Sequence, residues 1–357
     1  MFHFNKIAKL ILLTSQLLVL ASCASPTSIS KRDSTSIPEI IRPSSLPSSN
    51  MATETAEPEE IVDNSHLTQL PEKVEDVYEQ GKLSLIIDAQ VIPVEQDKVY
   101  KWSSANYNIA DENFQKKMAD RLLQGSYSKE ANANGGNKYI SDVGVLSFNP
   151  DINHTSYRAT TSVELDRTME NYVSDEGLDN KYVEEVNSIL SDLGISHFVP
   201  ALCTKYGNTE NGLFYEIVCQ PLIEGLPIVN SGVQPSSFED IPPYEEILAC
   251  IGEDEELLLL NFRSSQVDEK TKRETEILSL EEALNILKHK GMAVLSRPLA
   301  DSESLTVQLI NLAYAHLPVG GGFELTPIWL FSMEKVDNSG NISNVKFAVN
   351  AVTGEIV

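Results

Sequence analysis

From Leu83 onward, apolar and polar positions alternate. Leu83, Leu85, Ile87 and Ala89 take one side, Ser84 and Asp88 the other, and Val91, Ile92 and Val94 carry the run around Pro93. A period of two predicts a half-buried strand, with the proline at its end or on an edge. Order is expected to begin here, near Lys82. The period then lengthens: Phe114, Met118 and Leu122 share one helical face, with Asp111 placed to cap the helix and Gly125 to end it. A loop at 132–137 follows, with further strands expected around Tyr139 to Phe148 and Tyr157 to Leu165.

The second helical pattern is clearer. Tyr182, Val186, Ile189, Leu190 and Leu193 recur at three and four, and Gly194 supplies a left-handed stop. Asn211-Gly212 suits a type I′ turn into the strand Leu213–Val218. Glu224 to Val229 reads as a turn into a short extended piece. Ser279 and Glu282 form a capping box for a third helix with Leu280, Ala283, Leu284 and Leu287 as its stripe, expected to end at Gly291. Strand composition returns at Leu305–Tyr314, breaks at Gly320-Gly321-Gly322, resumes at Leu325–Met333, and turns at 337–341 into Val345–Ala351. The fold class expected is α+β, antiparallel sheets with helices packed on one face.

Ahead of all this lies a different composition. Lys6 and Lys9 precede an apolar run, Leu10 to Leu20, about 11 residues long where a spanning helix needs about 20. That is an export signal, and Leu20-Ala21-Ser22-Cys23 at its end resembles the lipobox of bacterial lipoproteins. The resemblance implies cleavage between Ser22 and Cys23 and a diacylglyceryl group on the Cys23 sulfur, hence attachment to the lipid bilayer at the extracytoplasmic face of the cell membrane. Residues 24 to about 75 are rich in Ser, Thr, Pro and Glu, with too little apolar surface to offset the entropy of ordering. A flexible tether of ~52 residues has a mean reach of ~40 Å. The division expected is signal 1–22, tether 23–75, an N-terminal α+β domain 76–175 and a C-terminal domain 176–357.

The formal charge is −25, and loss of Lys6 and Lys9 with the signal makes the remainder more negative still. Such a surface repels phosphate backbones and anionic headgroups, so nucleic acid is not an expected partner. Of the four cysteines, Cys23, Cys203, Cys219 and Cys250, lipidation of the first leaves an odd three. A disulfide between Cys203 and Cys219 across the hairpin and a set of buried thiols both remain open.

Chemistry-bearing patterns are scarce. Beyond the signal the histidines His66, His154, His197, His289 and His316 are scattered, none in H-E-x-x-H, and no C-x-x-C pair exists, so neither metal nor cofactor is expected. His316, beside the glycine run, reads as an exposed loop histidine rather than a general base. No G-x-S-x-G or S-x-x-K constellation occurs. Asp337-x-Ser339-x-Asn341 begins like a calcium loop but has Ile342 at the sixth position and Ala348 at the twelfth, which excludes one.

Two stretches resemble PepSY-like modules. Leu325-Thr326-Pro327-Ile328-Trp329-Leu330-Phe331 followed by Val349-Asn350-Ala351-Val352-Thr353-Gly354-Glu355 matches their closing pattern, with Asn350 where aspartate is usual. Tyr215-Glu216-Ile217 with Glu224-Gly225-Leu226-Pro227-Ile228 is similar to a preceding copy. Gly225, Pro227, Pro327, Trp329 and Gly354 are therefore the interaction or structural motif. Trp329 is expected to anchor a sheet against a helix, and Gly354 to permit a tight turn. The whole chain further resembles an uncharacterised family of Gram-positive lipoproteins with an "I-D-A-x-V" strand, here Ile87 to Val91. PepSY-like modules also occur in membrane-tethered Yyc-type accessory proteins of a cell-wall sensor kinase, which act by contact, and in inhibitory propeptides of proteases. The implied function is a non-enzymatic, membrane-anchored adaptor or regulator that binds an envelope protein or peptide. The alternative is a small-ligand (solute) binding lipoprotein, and third comes a cell-wall or peptide hydrolase.

Overall fold

The computed structural model describes residues 62–80, 83–132, 135–161, 165, 167–208, 212–230, 242–295, 302–337 and 340–357. Ser22, Cys23, the signal and residues 24–61 lie outside the described residues. Three strands come first: β1 (Lys73–Gln80), β2 (Leu83–Val91) and β3 (Tyr100–Asn106). Helix α1 (Glu112–Leu122) then leads into β4 (Ser128–Ala131), β5 (Asn137–Ile140), β6 (Gly144–Asn149), β7 (His154–Ala159) and β8 (Tyr172–Glu176). Helix α2 (Lys181–Leu193) precedes β9 (Phe198–Asn208), β10 (Gly212–Ile223), β11 (Leu226–Pro227), β12 (Glu246–Gly252) and β13 (Leu257–Arg263). The last third holds β14 (Ser265–Val267), β15 (Arg273–Glu274), helix α3 (Leu280–Ile286), β16 (Ser302–Val319), β17 (Gly322–Asp337) and β18 (Ile342–Asn350).

Strand outweighs helix, 51% to 20%. β4 to β13 form a ten-stranded sheet, while β1 to β3 and β14 to β18 form an eight-stranded one. The larger sheet is thus inserted, as a continuous stretch of chain, between β3 and β14 of the smaller. The boundary expected at 175 falls inside the inserted sheet, because hydrogen bonding joins the first strands to the last: β2 lies parallel to β16, with Leu85 opposite Leu305. That pair also makes the eight-stranded sheet mixed rather than antiparallel.

Each sheet has its own core. α1 and α2 lay Phe114, Met118, Val186, Ile189 and Leu190 on the larger sheet against Phe148, Ile217 and Phe262. α3 lays Leu280, Ala283, Leu284 and Leu287 on the smaller against Trp329, Phe331 and Val349. The local signals explain the helix ends: the Asp111 side chain accepts from Asn113 N, that of Asn180 from Tyr182 N and Val183 N, and Gly194 closes α2 at φ 77°. The Ser279–Glu282 capping box is present.

Gly291 does not end the third helix. The chain continues through a π-turn at Leu287–Gly291 into Met292–Leu295. The glycine is needed for close approach, since a Cβ there would lie 2.7 Å from Phe347 Cζ. The end of the supposed tether is also folded. Leu67 is fully buried in the core of the smaller sheet, and Asn64 braces the approach to α3, donating to Thr275 O at 2.9 Å and accepting from Ile277 N at 3.0 Å. Leu67 and Asn64, with Leu70 and Val74 packed against the same core, fix a segment whose composition is otherwise that of a linker.

Candidate functional site: a buried polar seam and an open sheet edge

The chain passes from the larger sheet to the smaller at Arg263-Ser264-Ser265, and polar side chains gather there. Glu245, just ahead of β12, has a fully buried carboxylate that accepts from Ser265 N at 3.0 Å and from the Ser265 hydroxyl. Its Oε1 lies 3.4 Å from His316 Nε2, and its Oε2 3.8 Å from His197 Nε2. Oε2 makes no hydrogen bond. The other ring nitrogen of His316 is 2.9 Å from Ser104 Oγ. His197 Nε2 also meets Ser264 Oγ at 3.1 Å, and Ser264 O accepts from Asn153 Nδ2 at 2.7 Å and Tyr107 N at 2.9 Å. Asn230 closes the set, accepting from Glu245 N at 3.0 Å.

Burial pushes the Glu245 carboxyl up, but the nearby imidazoles of His197 and His316 and the hydrogen bonds from Ser265 outweigh it and hold it at about 2. The order Ser104–His316–Glu245 has the residue types of a nucleophilic triad. Its surroundings do not suit that chemistry. Ser104 and His316 are both buried, and Ser104 pairs in register with Phe323 on one side and Val267 on the other. No carbonyl reaches Ser104 Oγ unless the strands part. What this network does is tie β12 of one sheet to β3, β14 and β16 of the other. His316, read from sequence as an exposed loop residue, sits inside β16 opposite Leu325 and is 1% exposed. The glycines beside it form the tip of the β16–β17 hairpin and leave the strand intact.

The motif residues converge on a tyrosine that the sequence reading passed over. Glu224 (φ 47°) and Gly225 (φ 74°) turn β10 into β11, and Pro227 leads to Ile228, which bridges Tyr314 in parallel. Val229 N donates to Tyr314 O at 2.8 Å, while Pro327 is the register partner of Tyr314 on β17. The two proline motifs therefore flank one fully buried tyrosine, whose hydroxyl accepts from Tyr100 N at 3.2 Å. Trp329, also fully buried, donates from Nε1 to Leu278 O at 2.8 Å and so joins sheet to helix as expected. Gly354, at φ 71°, packs so tightly that a Cβ would be 3.0 Å from Ile286 Cδ1. Asn350 Oδ1 accepts from Val352 N at 2.9 Å and Thr353 N at 3.1 Å, the task an aspartate would perform. Pro327, Trp329 and Gly354 sit at packed positions, whereas Gly225 is an exposed turn residue and Pro227 is half-buried.

Cys203, Cys219 and Cys250 are buried free thiols. Cys203 faces Ile217 and Cys219 faces Pro200 in the β9–β10 register, so the hairpin offsets the two sulfurs rather than pairing them. Among the described residues no group of three or more His, Cys, Asp or Glu side chains could hold a metal ion.

β1 is an outer strand of the smaller sheet and pairs with β2 over its whole length without a bulge. Beside it runs a shallow groove of about 490 Å³ lined by Lys73, Glu75, Asp76, Val77, Ile86, Ile87 and Asp88. The outer strands of the larger sheet are β4, of four residues, and β8, of five with an irregularity between Tyr172 and Ser174.

No family model matches the chain, and no curated protein matches it. Among solved structures it is similar to an uncharacterised protein from Eubacterium rectale. That match has 14% identity and a TM-score of 0.55, over 82% of this chain and 96% of the other. At that identity the likeness speaks to the fold alone.

Proposed function

We propose that this is a non-enzymatic lipoprotein of the extracytoplasmic face of a bacterial cell membrane. It is anchored by a diacylglyceryl group on Cys23 and acts as an adaptor or regulator that binds an envelope protein or peptide. The observation that carries the reading is the contrast between the seam and the rim. Among the described residues, the arrangement with triad residue types is sealed between paired strands, whereas β1 offers a long edge with no described strand beyond it, the feature used in recognition by strand addition. The PepSY-like reading is supported by a recurring order, helix then antiparallel meander: α2 with β9, β10, β12 and β13, and α3 with β16, β17 and β18. Nucleic acid is not among the proposed partners, given the charge of −25.

Crosslinking the anchored protein in living cells and identifying what co-purifies tests this directly. A single envelope protein recovered repeatedly is the expected result; recovery of none, with the crosslinking control working, overturns it. Solute binding is favoured by a different feature, a groove of about 290 Å³ between α1, α2 and the β12–β13 turn, lined in part by Arg121, Tyr157, Glu185 and Glu255. Saturable thermal stabilisation by a small molecule would move the assignment there.

A further inference from the structure

Edge strands are commonly blunted by shortness, bulges, proline or covering chain. β4 and β8 are short, and the end of β18 is closed by the C-terminal residues, Val357 N donating to Ala348 O. Among the described residues β1 has none of these protections, and its guard is charge, from Lys73, Glu75, Asp76 and Glu79. It runs eight residues without proline, in unbroken register with β2, and Val77 on it is 61% exposed.

The direction of its backbone groups can be read from one contact. Val77 N donates to the Asp76 carboxylate, Oδ1, at 2.8 Å, so that N–H does not serve the ladder with β2. Antiparallel pairing alternates inward and outward residues, which places Glu75 and Glu79 outward with Val77. Asp76 itself is held by Lys288, so the one outward amide with a partner is guarded by a side chain tied to the α3 side of the sheet.

Charge then selects the occupant. Glu75, Asp76 and Glu79 lie on β1 and Asp88 on β2; Lys73 is taken up by Glu75 and Asp88, and Lys288 by Asp76. A second copy of β1 laid alongside would set acid against acid, which is unfavourable for directly opposed cross-strand residues. A basic strand meets no such penalty. The groove beside Val77 and Ile86 gives room for an apolar side chain at alternate positions.

We infer that the outer edge of β1 is the docking strand, and that its occupant is an extended basic segment of the partner, alternating Lys or Arg with apolar residues. This rests on the protein-binding reading above and narrows it to one edge and one chemistry.

The test uses the purified full chain and fluorescent peptides of one length: alternating Lys-Val, alternating Glu-Val, and Lys-Val interrupted by proline. Only the uninterrupted basic peptide is expected to bind saturably. Val77→Pro removes an outward donor but no β1–β2 ladder bond, and is expected to weaken binding by about tenfold or more. Hydrogen exchange on the unaltered protein gives a second reading that needs no variant: the Glu75, Val77 and Glu79 amides should slow when the basic peptide is added. Equal binding by Val77→Pro with no slowing at these amides places the contact elsewhere and overturns this inference, leaving the adaptor reading intact. A cellular partner recovered by crosslinking while no basic peptide binds has the same consequence. Self-association of the chain that Val77→Pro abolishes would make the occupant a second copy and overturn it too.

Discussion

Glu245 Oε1 and His316 Nε2 stand 3.4 Å apart with both side chains fully enclosed, and this pair fastens the inserted sheet to the sheet that receives it. A buried carboxylate survives there because donors surround it. Glu245→Ala would leave His316 and Ser265 without their acceptor, and is expected to cost roughly 3–5 kcal/mol in denaturant unfolding. Glu245→Gln should cost less, since it keeps an acceptor for Ser265.

The same residue sets an acid limb. Its folded pKa, about 2, lies below the ordinary 4.5, so its stabilising contribution is complete above 4.5 and is lost as pH falls towards 2. Unfolding free energy measured from pH 6 down to pH 2 should fall through that window, and the fall should be shallower in Glu245→Gln.

Trp329→Phe retains most of the apolar body but not the donor to Leu278 O. A loss of about 1–3 kcal/mol is expected from the carbonyl left unpaired, checked by chemical denaturation.

Asn350→Ala removes the acceptor for two backbone N–H groups and should lower the melting temperature, by the equivalent of about 1–2 kcal/mol. Asn350→Asp keeps that acceptor and should be close to neutral.

Burial pushes the Cys219 and Cys250 thiols up to about 12 and raises that of Cys203. None should react with a thiol reagent until the protein unfolds, and a reducing agent should leave the melting temperature unchanged.

Cys23→Ala is expected to abolish metabolic lipid labelling and release the protein to the medium. Unchanged membrane retention would refute the anchor.

How much of this was legible depends on the range of the interaction. Asp111, Asn180, Gly194 and the Ser279–Glu282 box act within a turn of their own helix, and a short-range signal is readable in a single chain. β1 was missed because Lys73, Glu75, Asp76 and Glu79 give an edge strand the composition of a linker. The seam was missed for another reason: Ser104, His197, Glu245 and His316 are drawn together only by strand pairing across some two hundred residues, which no local pattern records. Tyr314 escaped notice as one aromatic in an apolar run, although the proline motifs on either side of it were visible.

The insertion of one sheet into the other carries a consequence for folding. β1 and β2 emerge first, but their neighbour in the sheet, β16, begins only at Ser302. Two strands alone make a ribbon of marginal stability. The leading end must therefore wait, unassembled, until almost all of the chain is available, and pairing at such sequence separation is slow. A chain cut short ahead of β16 would lose not only its own tail but also the sheet to which its first strands belong.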